Sequence, residues 1–72
     1  MQEIVSMLQV AGFADAVLFG NEVHVTAFGA RLVVSEYGAG DGYAVHSVSE
    51  EQVARVCDGP VEVVVEIKRW RG

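Results

Sequence analysis

Along most of this chain, apolar and polar residues alternate with a period near two, and the opening ten residues carry the one clear helical stripe. From Gln2 to Ala11, the residues Ile4, Leu8 and Ala11 fall on one side with Val5 and Met7 flanking them. Gly12 follows where a left-handed C-terminal cap belongs, which lets Phe13 fold back on the last turn. The spacing predicts a first helix over 2–11.

Ala16-Val17-Leu18-Phe19 and the run from Glu22 to Phe28 flank Gly20-Asn21, a pattern that predicts a two-residue hairpin with Leu18 opposite Val23 and Ala16 opposite Val25. Gly29-Ala30 predicts the next turn, pairing Ala27 with Leu32 and Val25 with Val34 in a third strand from Arg31 to Tyr37. Gly38-Ala39-Gly40-Asp41-Gly42 then reads as a flexible connection into a fourth strand, Tyr43 to Val48. It lacks the spacing and the following helix of a phosphate cradle.

Ser49-Glu50-Glu51-Gln52 matches a capping box, so a second helix is expected over 50–57 with Val53, Val56 and Cys57 buried. Asp58-Gly59-Pro60 ends it. The last run, Val61 to Trp70, places Val61, Val63, Val65 and Ile67 on one side and Glu62, Val64, Glu66, Lys68 and Trp70 on the other, which predicts a strand with one dry face. The expected fold is α+β: a single small domain over 1–72, a mainly antiparallel sheet of four to five strands with two helices on one face, in the order α-β-β-β-β-α-β.

On this register the sheet face opposite the helices holds Val17, Phe19, His24, Thr26, Phe28, Val33, Tyr37, Val45, Val64 and Trp70 among Glu22, Arg31, Glu62, Glu66 and Lys68. That face is too apolar for plain solvent. A wet face normally alternates hydrophobic-in with polar-out, and aromatics mixed with charge are the composition of interface anchors. The alternative is a second core, with one helix covering each face.

Charge narrows the partner. The net charge is −5, and its division is uneven: residues 1–67 hold all ten acids against Arg31 and Arg55, whereas Lys68, Arg69 and Arg71 crowd the end. An acidic body is repelled by phosphate backbones, so direct nucleic-acid binding is not expected and a basic protein surface is the better electrostatic match. No apolar run reaches the roughly 18–20 residues of a membrane span, and no basic region precedes a long apolar core, so a cytoplasmic protein without membrane contact is expected. At 72 residues the core is small, and the lone Cys57 allows no internal disulfide and no cysteine-based zinc framework.

Catalytic chemistry finds little support. His24 and His46 have no second ligand-type residue at a metal-site spacing, and Cys57 is expected on an inner stripe, where a thiol is inert. Glu62 and Glu66, on a strand, would stand about 13 Å apart, too far for a paired acid and base. No catalytic, cofactor or metal site is assigned.

The reading is a non-enzymatic protein-binding module that occludes a basic partner surface stoichiometrically, with Phe19, Phe28, Tyr37 and Trp70 as anchors and Glu22, Glu62 and Glu66 selecting the partner. In size and composition the chain is similar to small phage-encoded inhibitors such as anti-CRISPR proteins. That resemblance implies a nucleic-acid-handling complex as the target. The alternative is a small accessory or regulatory domain that forms a homodimer or binds a small ligand between helices and sheet.

Overall fold

A computed structural model describes residues 1–37 and 42–70. The chain runs α1 (Gln2–Val10), β1 (Val17–Phe19), β2 (Glu22–Ala27), β3 (Ala30–Tyr37), β4 (Gly42–Ser47), β5 (Glu50–Cys57) and α2 (Pro60–Lys68). The five strands form one antiparallel meander in chain order, and both helices lie on the same face of it. The α+β class, the single sheet and its paired helices are as expected.

Helix α1 ends as the sequence predicts. Gly12 takes φ 106, its N–H donates to the Gln9 carbonyl at 3.1 Å, and the Phe13 N–H reaches the Leu8 carbonyl at 2.9 Å. These two bonds make a Schellman cap, and they turn Phe13 back against the core. The first hairpin also matches, with Leu18 opposite Val23. Gly20 has φ 64 and Asn21 does not share the positive φ, which is the arrangement of a type II′ turn.

The second hairpin turns one residue early. Phe28 and Gly29 both adopt positive φ, 52 and 80, so the loop is a type I′ turn and Ala27 pairs with Ala30, Val25 with Leu32 and Val23 with Val34. Against the expected register this is a slip of two residues, which leaves every side chain on its expected face. A one-residue slip would have inverted β3.

The larger correction is at the C-terminus, where the last two elements exchange identities. Residues 50–57 are strand β5 rather than a helix, and residues 60–68 are helix α2 rather than a strand. The serine of the supposed capping box works in a tight turn instead. Its N–H donates to the Ser47 hydroxyl at 3.3 Å, the two hydroxyls are 3.0 Å apart, and Ser47 lies opposite Glu50 past a register irregularity. Strand β5 thereby supplies β4 with the antiparallel neighbour it would otherwise lack. Pro60 then stands at the first helical position after Gly59, where its missing N–H costs nothing and its φ is already helical.

Within α2 the four aliphatic residues expected on one dry face divide by a period of 3.6. Val63 and Ile67 are buried with Trp70, one turn further on, while Val61 and Val65 face out. One core results: Ile4, Val5 and Leu8 from α1, Val23, Val25, Leu32, Val34 and Val45 from the sheet, and Val63, Ile67 and Trp70 from the end of the chain. The accessible surface, 4388 Å², is close to the roughly 4,300 Å² expected for a compact monomer of this mass, so the fold is complete in one copy.

Candidate functional site

The face of the sheet away from the helices carries side chains in cross-strand rows. Register places Val17, His24, Val33, His46 and Ala54 in one row. Phe19 and Glu22 begin the next, with Ala44 and Val56 completing it on β4 and β5. Neither helix covers these rows. Phe19 is 71% exposed and Tyr37 55%, and Val17 and Val56 are each more than half exposed, whereas Val33 and Ala44 are buried among their neighbours at the centre. Five strands spaced about 4.8 Å apart and some six residues long present roughly 480 Å² of face, apolar at Val17, Phe19, Tyr37 and Val56 and interrupted by Glu22, His24 and Thr26.

The β1–β2 hairpin builds the most ordered part of this surface. The His24 Nε2 lies 3.2 Å from the Glu22 carboxylate, and the Phe19 ring rests against the imidazole at 5.4 Å with a 46° tilt. Residues 22 and 24 alternate onto the same face of β2, and the tight turn brings Phe19 opposite Glu22, so these three side chains meet through local geometry alone. Beside them is an open groove of about 490 Å³ reaching from Phe19 and His24 to Arg31 and Asp15. Asp15 is tied down: its carboxylate accepts the Thr26 N–H at 3.0 and 3.3 Å, standing in for strand β1 where it has not yet begun. Gln9 similarly donates to the Ala16 carbonyl at 3.2 Å, so the backbone is covered at the start of this short edge strand.

Of the residues expected as partner contacts, Phe19, Glu22 and Tyr37 are on the outer face. Phe28 is not on a strand but at the tip of the β2–β3 turn, largely exposed, with its ring edge-on to Phe13 at 6.3 Å. Trp70 is a core residue, 2% exposed. The Arg55 guanidinium stacks over its ring at 4.0 Å, and the same Arg55 donates to the Glu66 carboxylate at 2.6 Å, so Glu66 is occupied in fastening β5 to α2. Glu62 is exposed on the helical side of the molecule. The expected register puts Val45 of the fourth strand, and Glu62, Val64, Glu66, Lys68 and Trp70 of the last one, on the outer face. Val45 instead faces the core opposite Val34, and the others belong to the helical layer or the core. The glycine-rich 38–41 stretch and residues 71–72 lie outside the described residues, as do the side chains of 50–53.

Chemistry beyond recognition finds no constellation among the described residues. No group of three His, Cys, Asp or Glu side chains converges as a metal site, and no hydroxyl or thiol hydrogen-bonds to His24 or His46. Cys57 is buried on the core face, and its thiol is held above its ordinary range first by burial and then by Glu66, Glu62 and Asp58. A thiol so protected from ionising is a poor nucleophile. No helix among the described residues is long and apolar enough to cross a membrane.

No family model, curated protein or solved structure matches this chain.

Proposed function

We propose that this protein is a binding module whose outer sheet face docks on, and thereby occludes, a basic surface of another protein. The observation that carries the reading is the pair of aromatics Phe19 and Tyr37, each more than half exposed on a sheet face that neither helix covers. Rigid aromatics on a strand scaffold make contact area at little entropic cost, and Glu22 beside Phe19 adds a charged, directional contact. The net charge of −5 favours a partner rich in Lys and Arg and steers its approach. Inhibition of a nucleic-acid-handling complex is the setting in which a small acidic occluding module of this kind has an obvious use.

The test is capture from lysate of the source cell with the wild-type chain and with an F19A/Y37A double variant as bait, each checked for its fold by circular dichroism. A folded double variant that retains less than about a tenth of the captured partner, with that partner basic at the contact, is the expected result. The proposal fails if nothing is captured, if the double variant captures as well as wild type, or if it unfolds, since unfolding would make these residues core.

A further inference from the structure

The helical side of the molecule carries a second exposed apolar surface, independent of the first. Between α1 and α2 lies a shallow hollow of about 320 Å³ bounded by Ser6, Met7, Val10 and Val64, and Val10 beside it is 89% exposed. Helix α2 continues this surface. Val61, Glu62, Val65 and Lys68 of the helix and Arg69 at its C-terminal cap are exposed there.

The order of those five is informative. At about 100° per residue Glu62 and Arg69 fall on one flank of Val65 and Val61 and Lys68 on the other. Antiparallel pairing about Val65 sets each flank against its own reversed copy, so the acid meets a cation and the aliphatic residue meets the long apolar stem of a lysine. A surface that complements itself under reversal is what a two-fold interface requires, because the same patch must serve on both subunits. A basic partner is not what it fits, since its own cations outnumber its acid. From the self-complementary pattern about Val65 and the apolar hollow beside it, we infer that two copies of this chain associate through antiparallel packing of α2 on α2.

In that arrangement Val65 meets Val65 of the partner subunit at the axis, and Glu62 lies against Arg69 of the partner subunit twice over. Valines at the crossing allow a close interaxial approach, and the stem of the partner subunit's Lys68 runs opposite Val61, next to the hollow. Each helix is nine residues, about 14 Å long, so the face is small beside the roughly 800 Å² a standard interface buries per subunit. The dimer is therefore a weak one that forms at micromolar concentrations and above, consistent with a fold already complete in one copy. Both outer sheet faces remain open in it and point away from each other, giving two docking faces per assembly.

Sedimentation velocity over a concentration series from low to several hundred micromolar tests this. Wild type is expected to pass from 7.7 kDa to twice that mass. V65E, which sets two carboxylates against each other at the axis, is expected to weaken association at least about tenfold without loss of helical signal. E62R and R69E should each weaken it several-fold, and the E62R/R69E double variant should restore it, because the swapped pair is again opposite in sign. A 7.7 kDa species at every concentration overturns the inference. So does a dimer indifferent to V65E, a dimer lost in F19A instead, or a charge swap that fails to rescue. Outer-face capture does not depend on Val65, so this inference and the docking proposal fail separately.

Discussion

Two side chains show how environment sets the role of a residue whose type alone is ambiguous. Trp70 is the kind of residue that anchors interfaces, yet here it closes the core, roofed by the Arg55 guanidinium at 4.0 Å. Cys57 is the kind that reacts, yet burial first, and the nearby carboxylates Glu66, Glu62 and Asp58 after it, hold its thiol above the ordinary 9.0. The native state thus keeps its proton at a pH where the unfolded chain releases it, and stability falls wherever the unfolded state binds fewer protons. The Cys57 contribution is therefore complete below about pH 9 and declines as pH rises from there through the folded value. Thermal melts from pH 8 to 10.5 should show wild type losing more stability than C57V over the alkaline part of the range, and the thiol should react with a disulfide reagent far more slowly than free cysteine. Equal alkaline slopes for the two proteins would remove Cys57 from the account.

At the scale of the element, α2 is the instructive case because its Pro-Val-Glu-Val-Val-Val-Glu-Ile-Lys sequence satisfies two periods at once. Three consecutive valines favour a strand locally, and their alternation with glutamate strengthens that reading. The helix prevails because Val63, Ile67 and Trp70 form a single stripe that can close the core, while β5 already completes the sheet. The two conformations make opposite demands on the four aliphatic positions. In a strand all four would be equivalent. In the helix V63A should cost about 2–3 kcal/mol in chemical denaturation, whereas V65A should change stability by under about 0.5 kcal/mol. Matched losses at 63 and 65 would be the signature of a strand.

At the scale of the whole molecule, the sheet divides two jobs between its faces. One face is consumed by the core under both helices, and the other presents aromatics and histidines to the outside. The charge of the chain acts over a longer range than either. If the acidic body steers a basic partner to the outer face, raising ionic strength from about 50 to 500 mM should slow association at least several-fold while changing dissociation much less, since apolar anchors are not screened. Surface binding kinetics with the captured partner would measure both. A dissociation rate as salt-sensitive as the association rate would instead assign the affinity to charge pairs.

Short-range physics determined much of this protein from sequence alone. The Gly12 cap and the Phe13 return follow from one glycine after a helical stripe. The Gly20-Asn21 hairpin follows from its turn chemistry, and the facing of β1, β2 and β3 follows from a period of two that survives a slip of two residues. Those same rules placed Phe19, Glu22 and Tyr37 on the outer face. Nothing as local separates strand from helix for residues 50–68. Ser49 can cap a helix or tie a turn, and Val61 to Ile67 fits a period of two and a period of 3.6 equally well. Tertiary structure settled both at once, because β4 needed an antiparallel neighbour and the core needed a lid. With that exchange Trp70 and Glu66 left the outer face, and Val61, Glu62, Val65, Lys68 and Arg69 became a helical surface. Burial is a property of the packed whole, and residues at the junction of two elements acquire their roles only when those elements have met.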